Sequence, residues 1–458
     1  MPKILTLRPP QLPMLEFLKE HERCALWAGM GIGKSSATLF LLVLLKLLGK
    51  IGDAPTLVIG PMRVARDTWP EEAAKWAQFS HLVITPLTGC DEAERIRRLR
   101  RRSDIFTISY ELLPWLVDYY MERWPFRQVV ADESDRLKGF RMSKGGKRAH
   151  SIGRVAHTLV KRWINLTGTP AANGYLDLWG QTWFLDRGYR LGLTYSAYKD
   201  RWFRTNEYTG KTELMPFSQQ QINELLKDIC LTVDPKDYFD LHEPIVTPVV
   251  VHLPKLARKI YRELEKDLFS KLATGEKIEV FNKAAMTNKC LQLANGAVYT
   301  DYPKWQGIHD EKIEALQSIE AESNAPLLVA YSFKSDVARL KSAFPKAVDL
   351  STSGGTAAFR AGDAAIGLAH PKSMGHGIDG LQHVTNILVR FGHSWPPGER
   401  RQMLERIGPM RQFQAGLDRA VLVYDIIADN TLDEEVIESH TTKCGIERAL
   451  LNAMKRRG

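Results

Sequence analysis

The chain has 458 residues, 44% hydrophobic and 25% charged, a balance that excludes a disordered polypeptide and, at roughly 150 residues per domain, gives two or three folded domains. Lys plus Arg number 63 against 53 Asp plus Glu, so the formal charge is +10 and a polyanionic partner suits the composition without being demanded by it. No leader is read in residues 1–13, the most hydrophobic stretch (37–48) is broken by Lys46 and too short to span a bilayer, and the cysteines, Cys24, Cys90, Cys230, Cys290 and Cys444, lack paired CxxC spacing, so a cytoplasmic protein with reduced thiols is expected.

The first predicted strand, 24–28, runs into Ala28-Gly29-Met30-Gly31-Ile32-Gly33-Lys34-Ser35 and then an apolar helix over 36–48. Strand, glycine-rich loop, GKS and helix in that order make a phosphate cradle: backbone N–H groups of Gly29, Met30, Gly31, Ile32 and Gly33 wrap phosphate oxygens, and the helix N-terminus adds its positive dipole end. Lys34 is placed to reach the outer phosphates and Ser35 to ligate magnesium, so ATP and Mg2+ are the expected cofactors. Ala28 stands where the strict loop pattern has its first glycine.

Further strands are predicted at 56–60, 82–87, 105–109, 128–131 and 163–167, alternating with helices as a parallel sheet covered on both faces requires. The strand at 128–131 ends in Asp132-Glu133-Ser134-Asp135, acids at the carboxyl end where open α/β sheets bind ligands. Asp132 is expected to orient the magnesium shell and Glu133 to polarise the attacking water. From 173 to 305 the texture turns helical without βαβ rhythm; a second alternating block follows at 327–332, 347–350, 365–369, 386–390 and 421–427.

With Leu166-Thr167-Gly168-Thr169-Pro170, the phosphate loop and acidic quartet resemble motifs I, II and III of superfamily two helicases, particularly the Swi/Snf-type DNA translocases. Leu7-Arg8-Pro9-Pro10-Gln11 resembles their adenine-sensing segment, which implies Gln11 as base reader. Segments 57–63 and 68–70 resemble motif Ia, Thr107-Ile108-Ser109-Tyr110 the next DNA-facing segment, and His309-Asp310-Glu311-Lys312 and 328–332 the entry to a second motor domain and motif IV. Ser373-Met374-Gly375-His376-Gly377-Ile378-Asp379-Gly380-Leu381-Gln382 resembles motif V and 402–412 motif VI. The match covers nearly the whole chain, and its texture is nearest short bacteriophage-encoded members.

The resemblance implies an α/β fold of two RecA-like P-loop domains: 1–240 as the ATP-binding domain, a helical connector over 241–305, and 306–458 as the C-terminal domain. It implies a DNA-dependent ATPase, a helicase or translocase, with a remodelling module that separates no strands, or an RNA helicase, as alternatives. Arg406 and Arg411 are the expected arginines for the γ-phosphate. Where the family sets its second arginine, Pro409 stands here; it disfavours helix at Gly408, so the helix carrying Arg406 is expected to stop there. Asp135, Thr167, Gly168, Thr169 and Asp379 are implied to couple the motifs. Arg63, Ser109, Tyr110, Thr169, Ser332 and Ser373 are implied to hold DNA phosphates without reading sequence.

The six arginines of 95–102 form either a solvated helix face or part of the DNA track, and the bases of 136–148 follow the acidic quartet closely. Trp27, Trp69 and Trp163 are expected in the core and Trp395 as an architectural residue; His376 and His440 lack ligand-spaced partners. Binding is expected to be salt-sensitive and independent of sequence, with targeting left to a protein partner or to DNA structure.

Overall fold

Residues 4–143, 146–205, 212–273, 280–300, 304–374, 378–417 and 419–455 are described by the computed structural model. They fall into two units, 1–240 with 443–458, and 241–442.

The first unit is built on β1 (Arg23–Ala28), β2 (Thr56–Gly60), β3 (Ile84–Pro86), β4 (Ile105–Ser109), β5 (Gln128–Asp132) and β6 (Arg162–Thr167), with a hairpin of β7 (Phe203–Thr205) and β8 (Thr212–Leu214), and then β9 (Cys230–Val233). Seven of these strands form one sheet in the order β3-β4-β2-β5-β6-β1-β9, every neighbour parallel. Alternate residues feed opposite faces. Cys24, Leu26 and Ala28 join a core with Phe17, Leu39 and Leu42, while Ala25 and Trp27 join one with Trp163 and Phe184. Two covered faces explain why these strands read as unbroken apolar runs. Helix α1 (Gln11–Glu20) leads into β1, and α2 (Lys34–Leu47) follows the loop after it.

The second unit has β10 (Ile245–Val251), an antiparallel pair of β11 (Ala297–Tyr299) and β12 (Trp305–Gly307), and then β13 (Leu327–Ala330), β14 (Val348–Asp349), β15 (Ile366–Ala369), β16 (Ile387–Arg390) and β17 (Leu422–Ala428). Its parallel sheet has the order β10-β17-β16-β13-β15-β14. The two-lobed α/β expectation is met. Within the second unit the Lys312 ammonium, wholly buried, donates to Asp433 Oδ2 (2.6 Å), Asn295 Oδ1 (2.8 Å) and the Phe391 carbonyl (3.2 Å). Asn295 in turn donates to Asp336, which also accepts the Ser332 and Phe333 amides.

The division of the chain differs from the expected one in two places. Segment 241–305 is no separate connector: β10 pairs with β17, and Leu253, Ala257, Tyr261 and Leu291 lie in the second unit's core. At the other end, the helix Leu432–Ala453 starts in the second unit's core with Leu432 and Val436, but residues from 443 onward belong to the first unit. Leu450 and Met454 are buried in the first unit's core, Met454 accepts the Thr232 amide, and Lys455 pairs with Asp234 and Asp237. The helices in both departures share one cause, since helical texture reports periodicity and not which core the apolar face meets, while β10 is a strand whose alternation Pro248 interrupts.

Candidate nucleotide site

A parallel sheet gathers the carboxyl ends of its strands on one edge, and in the first unit that edge holds the phosphate loop after β1, the acids ending β5 and the turn after β6. The loop closes through two glycines at positive φ, Gly31 (78°) and Gly33 (97°), the latter capping α2. At Gly33 a Cβ would lie 2.4 Å from Gln11 Nε2, so no side chain fits there. Lys34 folds over its own loop, donating to the Ala28 (2.5 Å) and Gly29 (3.1 Å) carbonyls. Ser35 is half-buried in the first turn of α2.

Gln11 is buried against the end of this loop. Its Nε2 donates to the Gly33 carbonyl (3.1 Å) and Ser36 Oγ (2.9 Å), and its Oε1 accepts the Arg8 amide (2.9 Å). Both amide protons are thus committed to the loop, and the residue expected to read the base also holds the cradle in shape.

The Asp132 carboxylate is fixed at both oxygens: Oδ2 accepts the Trp69 indole N–H (2.9 Å) and Oδ1 the Glu133 amide (3.1 Å). Burial raises its pKa, and the Lys34 charge opposes the rise. Glu133 sits at φ 54°, ψ 54°, a left-handed conformation that costs a non-glycine residue energy and clusters at functional sites. Trp69 is the core residue expected, but its bond to Asp132 was not legible, since an indole in a motif frame gives no sign of where its N–H points.

The turn after β6 is held from three sides. Gly168 packs so closely that a Cβ would stand 3.2 Å from the Ala28 carbonyl. Gln181 accepts from Ser134 Oγ (3.1 Å) and donates to the Pro170 carbonyl (2.7 Å), bridging the acidic quartet to this turn. Glu447, from the returning C-terminal helix, accepts the Ala171 amide (3.1 Å). The Thr167 hydroxyl accepts the Thr169 amide (3.1 Å). Burial pushes the Asp135 carboxyl up to about 6, with Lys138 and Arg136 opposing and Asp177 and Glu447 adding. Neither Gln181 nor Glu447 carries a motif that sequence reading could have found.

In the second unit, Asp379 gathers both expected arginines: Arg411 lies 3.0 Å and Arg406 3.7 Å from its Oδ1. Arg406 is buried and also donates to the Ile378 carbonyl (3.4 Å). The helix before them, Pro397–Glu405, stops earlier than expected, just ahead of Arg406; Gly408 is extended and Pro409 starts a second short helix, Pro409–Gln414, that carries Arg411. Proline at a first helical position is favoured, so Pro409 acts as a start as well as a stop.

The residues expected on DNA divide. Ser373 is exposed and Arg63 and Ser332 are half-buried, whereas Ser109, Tyr110 and Thr169 are buried. The Tyr110 hydroxyl donates to the Asp132 carbonyl (2.9 Å), with Glu133 O at 3.4 Å, and the Ser109 amide donates to Thr88. The Tyr110 hydroxyl is thus spent inside the fold, and Ser109 and Thr169 are buried as placed, at or just beyond strand ends that the sheet covers. In the arginine run, Arg95 is buried, donating to the Leu87 and Cys90 carbonyls beneath Trp115, while Arg100, Arg101 and Arg102 are exposed. Arg136 and Arg148 both pair with Glu111. Trp27 and Trp163 are core residues, and Trp395, half-buried, accepts from His440. Residues 144–145 and 375–377, with His376, lie outside the described residues. Among the described residues no cluster of three metal-ligating side chains occurs, and no helix is long and apolar enough to cross a membrane.

The donor set suits a magnesium nucleotide: a hydroxyl at a helix N-terminus, a lysine over the cradle, and a carboxylate with one lone pair taken on each oxygen and the others left. Fold and site together define a P-loop ATPase with two parallel-sheet lobes. Residues 14–296 match the SNF2-related domain. The chain is 45% identical over 462 residues to p41 of Acyrthosiphon pisum secondary endosymbiont phage 1, covering 99% of this chain and all of that protein. It is also 24% identical over 278 residues to the ISWI chromatin-remodeling complex ATPase ISW2 of Saccharomyces cerevisiae, covering 59% of this chain and 21% of that one. Among solved structures it is similar to the Sulfolobus solfataricus SWI2/SNF2 ATPase core in complex with dsDNA, at 20% identity and a TM-score of 0.45 over 100% of this chain and 99% of that one. The chain belongs to the SNF2-related family of Swi/Snf-type ATPases.

Proposed function

We infer that this protein uses ATP hydrolysis to translocate along DNA. The observation that carries the reading is the convergence of Lys34, Asp132, Glu133 and the Thr167–Thr169 turn on one edge of one parallel sheet. In this reading the loop amides and Lys34 hold the phosphates, Ser35 and Asp132 hold Mg2+, and Glu133 takes the proton of the attacking water. The bound metal would neutralise charge between the outer phosphates. Arg406 and Arg411 are assigned to the γ-phosphate during turnover, released from Asp379, while Gln11 is assigned to the base and Gly168, Thr169 and Asp135 to coupling. The surplus of basic residues and the exposed Arg100, Arg101, Arg102 and Ser373 support a phosphate-backbone track.

The test is ATPase rate with duplex, forked and single-stranded DNA and with RNA, beside assays of strand separation and of triplex displacement. Stimulation by duplex with triplex displacement and no unwinding is the expected result. Absence of stimulation by any DNA overturns the reading, and stimulation by RNA alone replaces it with an RNA helicase.

A further inference from the structure

Two segments of the first unit that resemble DNA-facing motifs end on the same acidic turn. Residues 61–69 pass from Arg63 through a π-helical turn, Val64–Thr68, to Trp69, whose indole N–H donates to Asp132 Oδ2 at 2.9 Å. Residues 107–110 pass along the end of β4 to Tyr110, whose hydroxyl donates to the Asp132 carbonyl at 2.9 Å and lies 3.4 Å from that of Glu133. The segments are tied to each other, because the Thr107 hydroxyl donates to the Ala65 carbonyl inside the π turn. Both aromatic residues are buried, so neither can touch nucleic acid itself. A π turn is an irregularity that persists mostly where function requires it, and Glu133 holds a left-handed backbone that its surroundings must enforce.

We propose that Trp69 and Tyr110 are positioning residues that transmit occupancy of the DNA track to the catalytic carboxylates. Trp69 sets the side chain of Asp132, and Tyr110 sets the main chain that aims Glu133. A backbone phosphate gripped at 61–63 acts on the same short segment that carries Trp69, and the Thr107 to Ala65 bond makes the second segment move with the first. This rests on the DNA-dependent ATPase reading and adds its internal relay.

Trp69→Phe and Tyr110→Phe each keep a ring and remove one donor. On the full chain, four quantities are read: basal ATPase rate, the ratio of DNA-stimulated to basal rate, duplex affinity by fluorescence anisotropy, and affinity for a fluorescent ADP analogue with Mg2+ and with EDTA. The ratio should fall about tenfold in each variant, the scale of one hydrogen bond to a charged or strained group, with duplex affinity within about twofold of the parent. With the rates read at saturating Mg2+ and ATP, Trp69→Phe should also lose most of the Mg2+-dependent gain in nucleotide affinity, and Tyr110→Phe should keep it. An unchanged ratio overturns the proposal, as does an equal fall in basal and stimulated rates, which marks a merely structural role. Weaker duplex binding in Tyr110→Phe with the ratio preserved also overturns it, returning Tyr110 to the DNA surface. If Trp69→Phe melts far below the parent, Tyr110→Phe alone decides. Failure of the parent protein itself to respond to DNA would instead overturn the functional reading beneath.

Discussion

The nucleotide edge of the first unit and the arginine turn of the second are built on different principles. The first is made of strand ends and the turns after them, with Asp132 fixed by Trp69 and the Glu133 amide, the turn after β6 tied to Ser134 through Gln181, and Gly168 packed against the Ala28 carbonyl. The second hangs Arg406 and Arg411 on Asp379, a carboxylate whose side chain is 58% exposed. In the proposed cycle the groups that stay fixed are those seated in the sheet, and the arginines assigned to change partner are held by a carboxylate open to water.

The largest effect should come from breaking the rigid side at its chemistry. Glu133→Gln should lower ATP turnover by about a thousandfold, within the range for a lost general base, while nucleotide affinity measured by equilibrium binding stays near the parent's. Next, the second unit has its own rigid centre in the Lys312 to Asp433 pair. Lys312→Met should cost about 3–5 kcal/mol, because Asp433 is left buried and unpaired, and denaturant unfolding should show it.

Acid should loosen the second unit through two histidines. His309 Nε2 meets the Leu293 carbonyl and His393 Nε2 the Ile426 carbonyl, so each Nε2 carries the proton and each buried Nδ1 has no hydrogen-bond partner among the described residues. Burial first, and then the neighbouring Arg339 and Lys312 for His309 and Lys312 for His393, bring both pKa values down to about 4. Their neutral forms favour the fold, so this stability is whole above pH 6.5 and is lost as pH falls toward 4, at most about 3 kcal/mol for each. Asp336, pushed up to about 6 by burial, and Glu265 and Glu399, also raised by burial, act in the opposite sense, keeping their protons in the fold. The histidine contribution is therefore read by difference: His393→Gln should lose less melting temperature than the parent between pH 6.5 and 4.

The smallest effect on stability belongs to the loose side. Asp379→Ala should shift unfolding by about 1 kcal/mol, since the carboxylate is largely exposed to water although its arginine partners are covered. A loss as large as that of Lys312→Met would erase the contrast between the two regions.

What could be read from the sequence follows the same contrast. Strands at 56–60 and 105–109 were legible to the residue, because apolar runs bounded by turn residues leave no other solution inside a parallel sheet. The cradle and the acids were legible because their chemistry requires neighbouring residues. Gln181, Glu447 and the Trp69 bond were not, since each reaches its partner only through tertiary folding. The misplaced segment 241–305 and the burial of Ser109 and Tyr110 share that origin: a motif names a stretch of chain but not which of its side chains face inward.

The return of residues 443–455 to the first unit sets an order on biosynthesis. A ribosome releases β1 to β9 long before Leu450 and Met454, so the earlier lobe waits with an open seam near Thr232 while the later lobe is being made. Completion of the first lobe is therefore timed by translation of the helix Leu432–Ala453, and a nascent chain paused after β17 would carry every motif of the site and still lack the piece that seals its core.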